Sequence, residues 1–213
     1  MAEPHGYRKL FDAELAEIDA KVQQLFTLVT EAVDGATTAL LTGDRAAAQV
    51  TADQDDAIDQ LRTDVELLVQ LEFTRQSPMA KDMRYLLSVM RVVPELERSG
   101  DLAGHIAHRA IAGLPSRLTP DVRDILREMG VTSVEMWRAA AVAWANRDAE
   151  AADRIDTTDD HLDDLHDQLI AALLEGDLAR DDALQTTLVG RFYERLGDHA
   201  VHVTERIGYL VGT

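Results

Sequence analysis

The chain contains no cysteine, which removes disulfide frameworks and thiolate metal sites from consideration and fits a reducing compartment. Aromatic residues make up only 5%. Sheets favour aromatic and β-branched side chains, so this scarcity beside abundant alanine and leucine points to closely packed helices. Five prolines and twelve glycines among 213 residues leave little sequence for long loops. No apolar run approaches the ~20 residues that span a bilayer. The opening MAEPHGYRKLF lacks the apolar centre of a secretory leader, so no signal peptide is expected. Positive charge is also scarce: 21 basic against 39 acidic residues give a formal net charge of -18. Such a surface repels phosphate backbones, so no nucleic-acid partner is expected; cations and basic protein surfaces suit it better.

What is present is helical periodicity. Hydrophobic residues are 46% of the chain, enough for a core. Residues 7–42 read as a first helix, with Ile18, Val22, Leu25, Val29, Val33, Ala36 and Leu40 at three- and four-residue steps. Thr42-Gly43-Asp44 is a stop and a start, glycine for the C-cap and aspartate for the N-cap. A second helix is expected from Asp44 to Thr74 with its seam at Ile58, Leu61, Val65 and Leu68. Ser77 and Pro78 are suited to start a third, which runs to Ala112 and carries Pro94, an expected kink. Gly113 to Pro120 is the clearest break. Beyond it the pattern predicts helices from Thr119 to Asn146, from Asp148 to Gly176 and from Asp181 to Tyr209. Trp137 and Trp144 share a face and read as core. The simplest account is an all-α chain of two tandem three-helix bundles, residues 1–114 and 115–213, related by internal duplication.

The duplication is clearest in one motif. Glu97-Arg98-Ser99-Gly100-Asp101 returns 97 positions later as Glu194-Arg195-Leu196-Gly197-Asp198. At the same offset His105 matches His202 and Arg109 matches Arg206. Residues four apart lie one helical turn apart, so Glu97, Asp101 and His105 form a slanting stripe, as do Glu194, Asp198 and His202. Carboxylate oxygens and imidazole nitrogens suit Mg²⁺, Mn²⁺, Fe or Zn²⁺. The same stripes also read as plain solvated charge, and on a helical wheel they fall opposite the apolar seam, on the outer face of a bundle. Glycine inside a helix costs about 1 kcal/mol against alanine, so its recurrence at Gly100 and Gly197 points to a shared need, such as close backbone approach or room for an ion. Asp55 and Asp59, matched in spacing by Asp159 and Asp163, are either a solvated face or further ligands. Arg98 and Arg195 are expected to pair with nearby acids. The other histidines, His5, His108, His161, His166 and His199, read as surface residues.

Arg75-Gln76-x-Pro78-x-Ala80-x-Asp82-x-Arg84, followed by the two ERxGD motifs and His199, resembles the PhoU family, as do Arg8, Phe11 and Leu15 near the start. The resemblance covers nearly the whole chain and implies a PhoU-like duplicated bundle. It implies metal ligation by Glu97, Asp101, Glu194 and Asp198. It also implies a cytoplasmic, non-catalytic, dimeric protein that represses the phosphate-starvation (Pho) response and phosphate uptake. That role bridges the ATPase of the phosphate ABC transporter and a membrane sensor histidine kinase, and the membrane is reached only through those partners. There are two departures from the family pattern. His105 and His202 stand where asparagine is common, which favours borderline ions, and Pro94 stands where the family has another residue. An acidic face is a poor receptor for free phosphate unless an ion inverts its charge, so phosphate status is expected to be read through the transporter. The competing readings are an ion-free helical adaptor and a metal-dependent enzyme. Outward stripes and the lack of a nucleophile–base constellation count against the enzyme.

Overall fold

A computed structural model describes the backbone of residues 4–75 and 79–212, with side chains from residue 10 onward. Among these residues there is no strand. The α-helices are α1 (Pro4–Thr42), α2 (Arg45–Asp53), α3 (Asp55–Arg75), α4 (Ala80–Ile111), α5 (Pro120–Asn146), α6 (Ala151–Glu175) and α7 (Arg180–Val211). A 3-10 turn, Leu114–Arg117, lies between α4 and α5. The architecture is two tandem three-helix bundles, the second helix of the first being broken into α2 and α3.

Each bundle closes on its own seam. The seven predicted seam residues of α1 are all buried, as are Val189, Leu196, Ala200, Val203, Ile207 and Leu210 on α7. Trp137 and Trp144 are wholly buried, and the ring of Phe26 lies 6.3 Å and 6.0 Å from theirs. α1, α3 and α4 pack together, as do α5, α6 and α7. The bundles then join through α1 on α5 and α4 on α7, and a single hydrophobic core runs through both. α4 and α7 run antiparallel: Arg91 stacks over Tyr209, Ser99 meets His199, and His105 and Arg109 meet Phe192, so partner numbers fall as α4 numbers rise. The two ERxGD motifs therefore lie near the middle of one helix pair, with α3 on the flank of α4 and α6 on the flank of α7.

Two expectations of helix extent are corrected. The second helix is not continuous from Asp44 to Thr74. Asp44 does cap α2, accepting from the Ala46 and Ala47 N–H groups at 3.0 Å. The ladder then breaks at Gln54, whose N–H bonds back only three residues to Thr51. α2 packs on both α1 and α4 there, with Thr51 against Gly35, and α3 restarts after Gln54 and packs on the same two helices. In the second half α6 starts at Ala151 rather than Asp148, because Asp148 turns its carboxylate onto the Glu150 N–H at 3.0 Å. Ser77 and Pro78 lie outside the described residues, and α4 begins at Ala80 after Met79. It passes through Pro94 as one continuous helix. Gly113 closes it in the left-handed conformation, φ 82°. The following turn is held by Arg123, which donates to the carbonyls of Leu41 and Pro115.

Candidate functional site

The two motif glycines show why the stripes are where they are. A Cβ at Gly100 would lie 2.7 Å from Ile58 Cδ1, and one at Gly197 would lie 2.1 Å from Asp159 Oδ1 and 2.8 Å from Leu162 Cδ2. Each glycine thus lets the second helix of its bundle lie tight against the third. That contact places the acidic face of α3 beside Glu97 and Asp101, and the acidic face of α6 beside Asp198.

The stripes are accordingly not on an outer face. Glu97, Asp101, Glu194 and Asp198 are all half-buried, whereas His105 and His202 one turn further on are exposed. A helical wheel of α4 or α7 alone registers the seam toward α1 or α5, but not the flank covered by α3 or α6. In the first half Asp55 faces Asp101 within hydrogen-bond reach. Burial, reinforced by the Asp101 charge and that contact, pushes the Asp55 carboxyl up to about 6. Glu97 is pushed up by burial and then by Asp101, partly offset by Arg62, whose Nη1 stands 3.5 Å from Glu97 Oε1. In the second half burial, then the charges of Asp163 and Asp198, push Asp159 up to about 7. Asp163 is raised by burial and by Asp198. Glu194 is paired with Arg191, and Arg98 with Glu95 at 3.0 Å.

The matched aspartates of the two halves share a further feature. Asp55 Oδ1 and Asp159 Oδ1 are buried and accept no hydrogen bond. A desolvated carboxylate oxygen with carboxylates for neighbours is costly unless it is protonated or meets a cation. The donor set fits a hard cation, with oxygen ligands arriving from two helices and a repulsion that an ion would relieve. Among the described residues no three Asp, Glu or His side chains already converge on one point. In the first stripe His105 lies against the ring of Phe192, 5.4 Å between centroids. The sequence offered Asp55, Asp59, Asp159 and Asp163 only as one of two readings of an acidic helix face. The tertiary contact assembles Asp55 with Asp101 and Asp59 with Glu97, and Asp159 and Asp163 with Asp198.

Two histidines depart from their expected surface place: His166 is half-buried, its Nε2 buried and without a hydrogen-bond partner, and His199 departs further. His199, next to Asp198, is 7% exposed and not a surface residue. Its Nδ1 lies 2.9 Å from Ser99 Oγ, and its Nε2 lies 3.7 Å from Glu95 Oε2 on the opposite helix. Burial lowers its pKa, with the Glu95 charge working the other way. Ser99 and His199 thus bond the two halves across α4 and α7, a long-range pairing that no local pattern signals.

Comparison with known proteins defines the class. The PhoU domain model matches residues 22–110 and again 126–207. The phosphate-specific transport system accessory protein PhoU homolog 1 of Mycobacterium tuberculosis is 30% identical over 207 residues, covering 96% of this chain and 94% of that protein. Homolog 1 of Thermotoga maritima is 26% identical, covering 94% and 88%. Among solved structures, PhoU from Pseudomonas aeruginosa superposes with a TM-score of 0.89 at 30% identity, covering 95% of this chain and 100% of that one. The phosphate transport system regulatory protein PhoU from Streptococcus pneumoniae gives 0.83 at 27% identity, covering 95% and 97%. The chain belongs to the PhoU family. No helix among the described residues is long and apolar enough to cross a membrane.

Proposed function

We propose that this chain is a cytoplasmic phosphate-signalling regulator that represses the phosphate-starvation response and phosphate uptake. It acts as a homodimeric, non-catalytic adaptor between the ATPase of the phosphate ABC transporter and a sensor histidine kinase. The observation that carries this reading is the match of both repeats to PhoU over nearly the full chain. The relatives' names, accessory protein of the phosphate-specific transport system and regulatory protein, support an adaptor over an enzyme. The net charge of -18 favours basic docking surfaces on the partners. The test is a pull-down with the tagged chain from phosphate-replete cells. Recovery of the transporter ATPase or the sensor kinase is expected, and recovery of neither overturns the reading.

In the same proposal each acidic cluster holds a divalent or trivalent ion, Mg²⁺, Mn²⁺, Fe or Zn²⁺. Glu97 and Asp101, joined by Asp55 and Asp59, would hold the first. Glu194 and Asp198, joined by Asp159 and Asp163, would hold the second. When bound, the ion supplies positive charge that inverts the local field of an acidic face. The chain's own residues bring carboxylates from two helices together, and Gly100 and Gly197 keep those helices close enough to share a ligand. The buried, unpartnered oxygens of Asp55 and Asp159 support this over plain solvated charge.

A further inference from the structure

A cavity of about 620 Å³ opens at the end of the molecule where α1, the first turns of α4, the α5–α6 connection and the end of α7 meet. It shares no residue with the acidic clusters. Its walls are part apolar, from Leu15, Tyr85 and Leu210, and part charged. That size suits a small organic molecule.

The partners of the charged groups decide which kind of molecule. The acids of the cavity are already engaged. Asp19 accepts from Tyr85 Oη at 3.2 Å, Trp144 Nε1 at 3.1 Å and Arg147 Nη2 at 2.6 Å. Asp12 and Asp82 each interact with a neighbouring group as well. Arg147 is committed to Asp19 and stacks on the rings of Tyr85 and Trp144. Arg84 and Lys81 are different. Arg84 Nε is buried and donates to nothing, and neither side chain forms an ion pair among the described residues. They lie three residues apart, on one face of α4. Among the described residues, the cavity's buried side-chain donor without a partner is therefore cationic, Arg84 Nε, and it lies beside apolar wall.

We infer that this cavity binds a small organic oxyanion. A carboxylate, phosphate or sulfonate head sits on Arg84 and Lys81, and an apolar or aromatic body lies against Leu15, Tyr85 and Leu210. Arg84 supplies the planar guanidinium fork that such a head needs for paired hydrogen bonds. Lys81, at the rim, adds charge without fixed geometry. Inorganic phosphate has the head without the body and gains nothing from the apolar wall. The site stands independently of the metal proposal and of the partners named above.

The probe is anilinonaphthalene sulfonate, which joins a sulfonate head to an aromatic body and fluoresces when desolvated. Titration of the full chain is expected to show saturable binding, one dye per chain. Arg84→Gln is expected to weaken it about tenfold, as loss of one charge-assisted contact implies. Arg109→Gln, which changes a part-buried cation remote from the cavity, is expected to leave it unchanged. Displacement by adenosine monophosphate marks a phosphorylated natural ligand, and displacement by octanoate marks a carboxylate one. Lys81 is exposed, so Lys81→Gln keeps the question open to measurement if Arg84→Gln fails to fold, and it too is expected to weaken binding. Equal affinity in the parent and the folded variant overturns the assignment, as does binding that never saturates.

Discussion

Replacing Gly197 with alanine separates a glycine kept for space from one that is merely tolerated. By helix propensity alone the change should stabilise α7 by about 1 kcal/mol, since alanine holds a helix better than glycine. The new Cβ, however, would lie 2.1 Å from Asp159 Oδ1 and 2.8 Å from Leu162 Cδ2. Leu162 is wholly buried and has no room to retreat, so α6 must move outward or its side chains must leave their preferred rotamers. Overpacking of this kind costs roughly 1–3 kcal/mol. The balance is a net loss of about 1 kcal/mol, or a fall in Tm of about 2–4 °C for a chain of this size. Gly104 is the control on the other helix. It sits in α4, and a Cβ added there would meet nothing within 4 Å, so Gly104→Ala should gain roughly 0.5–1 kcal/mol. Thermal and urea unfolding of the two variants beside the parent reads both signs in one experiment. A Gly197→Ala protein as stable as Gly104→Ala would refute the argument that the second helix of each repeat is held in place by a missing side chain. A second readout follows from the identity of the nearest atom. The methyl pushes on Asp159, so any stabilisation by added Mn²⁺ should shrink in Gly197→Ala and persist in Gly104→Ala.

Three further outcomes are expected. Asp55 and Asp159 have folded-state pKa values raised to about 6 and about 7, above the unfolded value of 3.8. The folded state therefore keeps protons that the unfolded chain has lost, and the metal-free protein should lose stability as pH rises from about 4 to 7. Asp159→Asn removes one of these sites and should flatten the profile, gaining roughly 0.5–1 kcal/mol at pH 8 after discounting for solvent screening; a steeper profile in urea unfolding would contradict this. Chelator-treated protein should gain Tm on addition of Mn²⁺ or Mg²⁺, with elemental analysis showing bound ion, and a variant with Glu97→Gln, Asp101→Asn, Glu194→Gln and Asp198→Asn should show neither. Equal metal content in the two proteins would leave the clusters as ion-free charge. Ser99→Ala strands the buried Nδ1 of His199, a loss of about 1–3 kcal/mol in chemical unfolding; an unchanged midpoint would mean that the contact contributes nothing to joining the halves.

Much of the fold was legible because helical periodicity is local. The seams of α1 and α7, the Thr42–Asp44 stop and the break at Gly113 each follow from residues within a few turns of one another. The paired motif was legible for a different reason: a fixed offset of 97 between two ERxGD segments needs no structure to be seen. The burial of the stripes was not legible. Whether Glu97 and Asp101 face water depends on where α3 lies, and a wheel drawn on α4 carries no information about α3. The same holds for His199, whose partner Ser99 is 100 residues away.

The sequence by itself determined that this is an all-α duplicated chain, that each copy carries a Glu–Asp pair one turn apart, and that a glycine precedes each aspartate for a reason other than propensity. Those are properties of spacing, and spacing along a helix converts directly into direction. The tertiary structure alone decided what each pair confronts. Because Gly100 and Gly197 admit α3 and α6 at a distance no Cβ would allow, carboxylates from separate helices meet in partly desolvated clefts, with one oxygen in each left without a partner. It also decided that Arg84 and Lys81, among the described residues, lack ion-pair partners at the edge of a cavity while every acid beside them is engaged. Both outcomes depend on which helices pack, and packing is fixed by contacts between residues far apart in the chain.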